Sequence, residues 1–153
     1  MRRKDREKDE LFALEVIKNA PYATLSMVRP DGKAYGVPIS PAVADGAVYF
    51  HCADEGLKLD CIKSNSCVCL TAVSFALPTP EDYSMDYSSA IVTGSAAIVT
   101  DREEKILALR EICLRYAPEN MAMFDGYIDR YLDKTCIVKI TADEITGKAR
   151  KTK

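Results

Sequence analysis

The sequence contains no apolar run near the roughly 20 residues that a membrane-spanning helix needs, and no signal-peptide core follows its first residues. We therefore expect a cytoplasmic protein without a membrane partner. Only one histidine and no C-x-x-C spacing occur in the chain, so no metal site is expected. A formal net charge of −2 argues against a nucleic-acid partner.

The sequence also lacks any pairing of a nucleophile with a base, which argues against covalent hydrolytic catalysis. Six cysteines are present, and we expect reduced thiols because no secretion signal accompanies them. Cys67 and Cys69 share one face of a predicted strand. We expect both to behave as small core side chains there.

The composition is typical of one packed domain, with 48% hydrophobic and 29% charged residues, and we assign 1–153 to it. Helices are predicted at 6–19 within an N-terminal region 1–20, at 56–64 and at 101–116. Strands are predicted at 22–29, 34–42, 47–52, 67–74, 87–100, 135–140 and 144–148. Because no βαβ alternation repeats, these strands predict an antiparallel barrel with helices packed outside.

Three other segments have weaker patterns. Pro78 and Pro80 predict a loop at 75–86. Segment 119–133 is rich in methionine and aromatic residues, and three interpretations remain open: a short helix on the barrel, a pocket lid or a subunit contact. The basic end, 149–153, is expected to be mobile.

Two local signals refine the second half of the chain. Gly94 lies in mid-strand and predicts a bulge, a bend or the close approach of another backbone. Asp101, with Glu104 three residues later, predicts a capped helix start. The helix that follows is expected to bury one stripe, formed by Ile106, Leu109 and Cys113.

The first two strands alternate between apolar side chains and small or polar ones. The apolar faces are formed by Ala23, Leu25, Met27, Tyr35, Val37 and Ile39. The opposite faces carry Thr24 and Ser26 in one strand, and Pro38 and Ser40 in the other. If these small faces coincide, they form a shallow surface that a flat ring can cover; alternatively, each simply meets solvent.

His51 closes a strand, and Lys58 lies in the first turn of the helix that follows. An imidazole, an ammonium group and free N–H groups at a helix N-terminus form a cradle suited to phosphate. The alternative is a structural histidine beside a solvated lysine. The pattern indicates a candidate anchor for a phosphorylated cofactor.

Five fragments carry a family resemblance. They are RRKDR at 2–6, YGVPI at 35–39, YFHCA at 49–53, GLKLD at 56–60 and EITGKA at 144–149. With them the chain resembles the nitroimidazole-resistance (Nim-type) branch of the pyridoxamine 5'-phosphate oxidase-like, FMN-binding split-barrel proteins. The resemblance covers nearly the whole chain.

The resemblance implies a mainly β fold, a six-stranded antiparallel Greek-key split barrel, and a homodimer with FMN at its interface. It assigns His51 and Lys58 to the FMN phosphate. The other residues that it assigns to the flavin site are Thr24, Ser26, Pro38, Ile39, Ser40, Gly147 and Lys148. The chain is shorter than a true pyridoxamine phosphate oxidase and lacks an Arg-rich motif near its C-terminus, which argues against pyridoxamine oxidation.

The resemblance also implies an FMN-dependent oxidoreductase that takes electrons from NAD(P)H and passes them to a small acceptor, such as a nitroaromatic compound. His51 is either a phosphate ligand or a catalytic proton relay. Three alternatives remain open: an FMN-binding or sensing protein without turnover, a haem-binding split barrel that uses His51, and a structural dimer without a ligand.

Overall fold

The computed structural model describes residues 2–151. In this range the chain forms four α-helices, several short 3-10 turns and one antiparallel sheet of eight strands. The strands are β1 (Glu7–Lys8), β2 (Ala23–Val28), β3 (Ala34–Ile39), β4 (Ala42–Ala44), β5 (Ala47–Cys52), β6 (Cys67–Thr79), β7 (Ser84–Ile98) and β8 (Cys136–Arg150). The helices are α1 (Glu10–Asn19), α2 (Leu57–Ser64), α3 (Arg102–Tyr116) and α4 (Phe124–Tyr131).

The strand order across the sheet is β3-β2-β6-β7-β8-β5-β4, and β1 pairs with β8. Ile39 of β3 and Phe50 of β5 belong to one buried cluster although their strands lie far apart in this order. The sheet therefore curves around a common core, as in a split barrel that is not closed. The predicted fold class is confirmed. The sheet has eight strands rather than six, and two of them, β1 and β4, are only two and three residues long.

The helices cover the sheet from two sides. Helices α1 and α2 contribute to the core inside the curved sheet. Helices α3 and α4 pack on β4, β5 and β8 around a second cluster centred on Leu109, Phe124 and Ile137. No helix within residues 2–151 is both long enough and apolar enough to cross a membrane.

The predictions for the starts of α1 and α3 had different outcomes. Helix α1 begins at Glu10 rather than at residue 6, because Asp9 accepts a hydrogen bond from the Phe12 N–H and Glu7–Lys8 pairs with β8. Asp101 does cap α3, since its carboxylate accepts a 2.8 Å hydrogen bond from the Glu104 N–H. The prediction of the buried stripe of α3 was partly wrong. The stripe is formed by Ala108, Leu109 and Ile112, while Ile106 and Cys113 are half-buried.

The loop predicted at 75–86 was wrong, because β6 continues to Thr79 and β7 begins at Ser84. Pro78 is tolerated because β6 pairs with β2 only as far as Ala72. Beyond that point one side of β6 is an open edge, where a residue without an N–H breaks no ladder bond. The two strands therefore form a long projecting hairpin.

A single strand, β8, replaces the two strands predicted at 135–140 and 144–148. It continues into the predicted mobile tail as far as Arg150, whose guanidinium lies 3.1 Å from the Asp82 carboxylate. Residues 149 and 150 thus belong to a strand, while the mobility expected for 149–153 stays a prediction and residues 152 and 153 lie outside the described range.

Gly94 lies where β7 and β8 shift register. A Cβ at this position would come within 2.1 Å of the Thr141 carbonyl oxygen. The predicted close backbone approach is confirmed, and it explains why only glycine fits here.

The cysteines differ widely in their surroundings, although all six are free thiols. The core prediction for Cys67 and Cys69 was wrong, because Cys67 is exposed and Cys69 is half-buried on the outward face of β6. Burial, together with neighbouring Cys136, raises the pKa of the Cys52 thiol to about 11. Cys52 therefore stays protonated at neutral pH and is a poor nucleophile.

Candidate functional site

Five of the nine predicted site residues line one small cleft. The cleft has a volume of about 260 Å³ and lies between the end of β3, the end of β5 and the first turn of α2. Its walls are formed by Tyr22, Pro38, Ile39, Ser40, His51 and Lys58. The His51 imidazole and the Lys58 ammonium group, which the sequence pattern predicted to lie close together, both line this cleft.

The β5–α2 connection brings the His51 imidazole and the Lys58 ammonium group together. Gly56 caps α2 with a φ of +125°, a conformation that side chains rarely adopt, so the tight entry into the helix needs glycine. No side chain caps this helix end among the described residues, so the first N–H groups of α2 have no side-chain partner there. Lys58 then projects from the first turn, with its ammonium 5.2 Å from the Phe50 ring centroid.

The electrostatics of the cleft centre on His51. Burial and, secondarily, the positive charge of Lys58 lower the pKa of the imidazole. His51 is therefore neutral at neutral pH and offers one N–H donor. A bound anion would offset the Lys58 charge and favour protonation of the ring.

The turn between β3 and β4 is held in place by α3, which the sequence analysis missed. The Arg115 guanidinium donates hydrogen bonds to the carbonyl oxygens of Pro41 and Ala20, and the Tyr116 hydroxyl donates one of 3.0 Å to Pro41. These contacts fix the backbone next to Ser40 in the cleft. No local sequence pattern could indicate these contacts. Pro41 and Tyr116 are 75 residues apart in the sequence, and Ala20 and Arg115 are 95 residues apart.

The two small faces predicted on β2 and β3 do coincide. Thr24 lies opposite Pro38, and Ser26 lies opposite Gly36. The same outward face continues onto β6, where Thr71 pairs with Thr24. Together these residues form a shallow surface beside the cleft. Thr71 also belongs to this surface, and the sequence analysis did not predict it.

Gly147 and Lys148 do not line this cleft. They lie on the far part of β8, where Gly147 pairs with Lys8 and Lys148 with Glu7 of β1, whereas His51 pairs with Ile137 near the start of β8. Gly147 is buried, and a Cβ there would meet the Phe12 ring at 3.0 Å. The Lys148 ammonium lies 5.7 Å from the Tyr87 ring centroid. Within one chain, therefore, these two residues pack against the N-terminal segment and Tyr87.

A second, larger cavity of about 830 Å³ meets the cleft at His51, which lines both. Its other walls come from α3, from a 3-10 segment at Pro118–Met123 and from α4. The segment 119–133 thus contains a short helix that packs on α3, and it also encloses a cavity. Its role as a lid or a subunit contact stays a prediction.

The sequence of the chain matches the family model described as pyridoxamine 5'-phosphate oxidase over residues 9–149, so the protein belongs to this family. The resemblance stated from the motifs is confirmed. None of the curated protein sequences matches the chain significantly.

Solved structures with the same fold include three informative relatives. A proposed 5-nitroimidazole antibiotic resistance protein from Bacteroides thetaiotaomicron is 24% identical, with a TM-score of 0.79 over 92% of this chain and 84% of that one. An FAD and haem binding protein from Mycobacterium smegmatis is 19% identical, with a TM-score of 0.76 over 93% and 70%. An FAD binding protein from the same organism is 20% identical, with a TM-score of 0.68 over 96% and 99%.

Proposed function

We propose that this protein is a flavoprotein that holds the phosphate of FMN, or of an FMN moiety, in the cleft between His51 and Lys58. The observation that carries the proposal is the convergence of these two side chains with the uncapped N-terminus of α2. A dianionic phosphate needs charge-assisted donors, and this cleft supplies an ammonium group, an imidazole and the Ser40 hydroxyl.

The outward face of β2 and β3 suits the flavin ring. Thr24, Ser26 and Pro38 form a floor without large side chains, next to the phosphate cleft. A flat amphipathic ring needs such a floor and a second wall that excludes water. One chain supplies only the floor, so the proposed site requires a second copy.

We propose that the second wall comes from a twofold homodimer. Val73 and Ile91 lie on the same outward face as Thr71, and each is 43% exposed. Apolar residues on the face that also carries the proposed ring floor support its burial against a partner subunit. Such a dimer also offers a route by which Gly147 and Lys148 of one subunit approach the flavin of the other.

When bound, the flavin would supply the electron-transfer chemistry, with NAD(P)H as donor and a small molecule, such as a nitroaromatic compound, as acceptor. The relatives described as an FAD binding protein and as a proposed 5-nitroimidazole resistance protein support this direction. The protein's own residues bind and orient the flavin. Lys58 neutralises the charge of the phosphate, and the outward face of β2 and β3 positions the flavin ring. His51 is proposed as a phosphate ligand because it lies beside Lys58.

Absorbance spectroscopy of the purified protein tests this function. We expect flavin bands, and loss of the long-wavelength band when NADH or NADPH is added without oxygen. A flavin spectrum that neither donor bleaches would instead support a flavin-binding protein without turnover. A haem spectrum that disappears in His51→Ala would favour the second candidate, haem binding, for which the neutral His51 at the mouth of an apolar cavity is the supporting observation.

The ionisation of His51 gives a second prediction. In the free protein its pKa lies below the ordinary value, so the ring is neutral at neutral pH. Bound phosphate stabilises the imidazolium and should raise this pKa, and FMN should bind more tightly as the pH falls through it. NMR titration of the ring protons is unambiguous because the chain has one histidine. An unchanged pKa in the presence of FMN would remove His51 from the phosphate site.

A further inference from the structure

A recess of about 670 Å³ lies where the N-terminal segment meets the end of β8, and we call it the N-terminal recess. Among the described residues, it shares no lining residue with the cleft or with the larger cavity. The sheet holds the N-terminal segment in place, because Glu7 pairs with Lys148 and Lys8 pairs with Gly147. A 3-10 turn at Lys4–Arg6 precedes this short strand. The walls of the recess are therefore built on backbone that the sheet fixes.

The N-terminal recess carries an excess of positive charge. Its described lining includes one acid, Asp5, and five cationic side chains: Arg3, Arg6, Lys8, Arg150 and Lys151. Arg3 neutralises Asp5 through two hydrogen bonds of 2.7 and 2.5 Å. The ion pairs formed within residues 2–151 include neither Lys8 nor Lys151. These two ammonium groups are therefore available to an anionic ligand.

This positive charge is a local property of the recess, because the chain as a whole has a formal net charge of −2. Tyr87, which pairs with Arg150 across the β7–β8 ladder, shows its effect. Although burial opposes ionisation, the nearby side chains of Arg6 and Lys148 lower the pKa of the Tyr87 hydroxyl below its ordinary value. The Arg150 guanidinium is held at the wall by the Asp82 carboxylate, at 3.1 Å.

The other lining residues suit a nucleotide better than a free anion. Phe12 is half-buried and supplies a ring surface, and Ser88 supplies a hydroxyl group. The volume of the recess lies within the range of ligand pockets, about 300–1,000 Å³. A phosphate group attached to a nucleoside would use the ammonium groups for its charge and the aromatic ring for its base.

We propose that the N-terminal recess binds the 2'-phosphate end of NADPH, and that the protein thereby selects NADPH over NADH. This inference rests on the proposed function, which leaves the choice of nicotinamide donor open. The two donors differ by one phosphate group on the adenosine ribose, and Lys8 and Lys151 suit that group. Ala149 and Arg150 of the recess directly follow Lys148, which the proposed dimer brings toward the flavin of the other subunit.

The experiment compares adenosine 2',5'-bisphosphate with adenosine 5'-monophosphate, which differ by the 2'-phosphate alone. Both are titrated by calorimetry into protein saturated with FMN, so that the cleft beside Lys58 is occupied. We expect the bisphosphate to bind about tenfold or more tightly than the monophosphate. The difference should shrink at high salt, because the lysines involved are exposed.

Lys8→Gln/Lys151→Gln should abolish this difference between the two nucleotides. The matched control is Lys33→Gln/Lys134→Gln, which removes two exposed lysines that do not line the recess and should keep the difference. In both double variants the dissociation constant of FMN should stay the same. Thermal melting shows that each variant is folded.

Equal binding of the two nucleotides by the unaltered protein would overturn the inference and leave the proposed flavin cleft intact. A difference that persists in Lys8→Gln/Lys151→Gln would also overturn it, because the 2'-phosphate would then bind elsewhere. Pyrophosphate that binds as tightly as the bisphosphate would contradict recognition of a nucleotide. Failure of FMN to bind, with the expected nucleotide pattern intact, would refute the proposed flavin function and support the 2'-phosphate site on its own.

Discussion

Lys58→Ala is expected to weaken FMN binding by about 5- to 150-fold, which corresponds to about 1–3 kcal/mol. Lys58 supplies the ammonium group of the cleft at the start of α2, and it also lowers the pKa of His51. Removing it leaves the dianionic phosphate with the His51 imidazole and the Ser40 hydroxyl as its side-chain donors in the cleft. The measurement is a fluorescence titration of the flavin-free variant with FMN at low and at high salt.

Lys63→Ala is the matched control for this variant. Lys63 lies on the same helix, but it is exposed in the last turn and does not line the cleft. The Lys63→Ala substitution removes the same charge from the protein without changing the proposed site, so FMN affinity should change little. Equal losses in both variants would indicate a nonspecific charge effect, and no loss in Lys58→Ala would remove Lys58 from the site.

Gly94→Ala is expected to lower the free energy of unfolding by about 3 kcal/mol or more. The added methyl group would lie 2.1 Å from the Thr141 carbonyl oxygen and 3.0 Å from the Ala142 Cα. Both are backbone atoms of β8, so no side chain can move aside to relieve the clash. Urea denaturation measures the loss, as a lower midpoint at similar slope.

Gly126→Ala provides the contrast within the same protein. Gly126 lies in α4 with open space around its Cβ position, so alanine should be neutral or should stabilise the helix by roughly 0.5–1 kcal/mol. If Gly94→Ala unfolds at the same urea concentration as the unaltered protein, the backbone contact between β7 and β8 is not as close as described.

The sequence signals that predicted where the cleft residues lie in the fold are local ones. The strand at Ala47–Cys52 has the predicted bounds, because a tight turn at Asp45–Gly46 precedes it and a glycine-capped helix follows. These short signals fix where His51 and Lys58 lie relative to one another. The meeting of the β2 and β3 faces followed in the same way, from strand alternation and a short hairpin connection.

The features that the sequence could not predict depend on contacts between distant segments. Pro78 was read as a loop residue, yet it is accepted in β6 because no neighbour occupies that edge. The resemblance assigned Gly147 to the flavin site, and no local pattern indicated that within one chain it lies beneath Phe12 of α1. The larger cavity exists only because α3 and α4 pack together on the sheet, and no periodicity within either helix indicates that space.

The measurement that tests the central claim most directly compares FMN with riboflavin, which has the same ring but no phosphate. The dissociation constants of both are measured by fluorescence quenching with the flavin-free protein at one pH and salt concentration. If His51, Lys58 and the start of α2 hold the anionic group, FMN should bind about tenfold or more tightly than riboflavin, and the difference should shrink in Lys58→Ala. Equal binding of FMN and riboflavin by the unaltered protein would contradict the account.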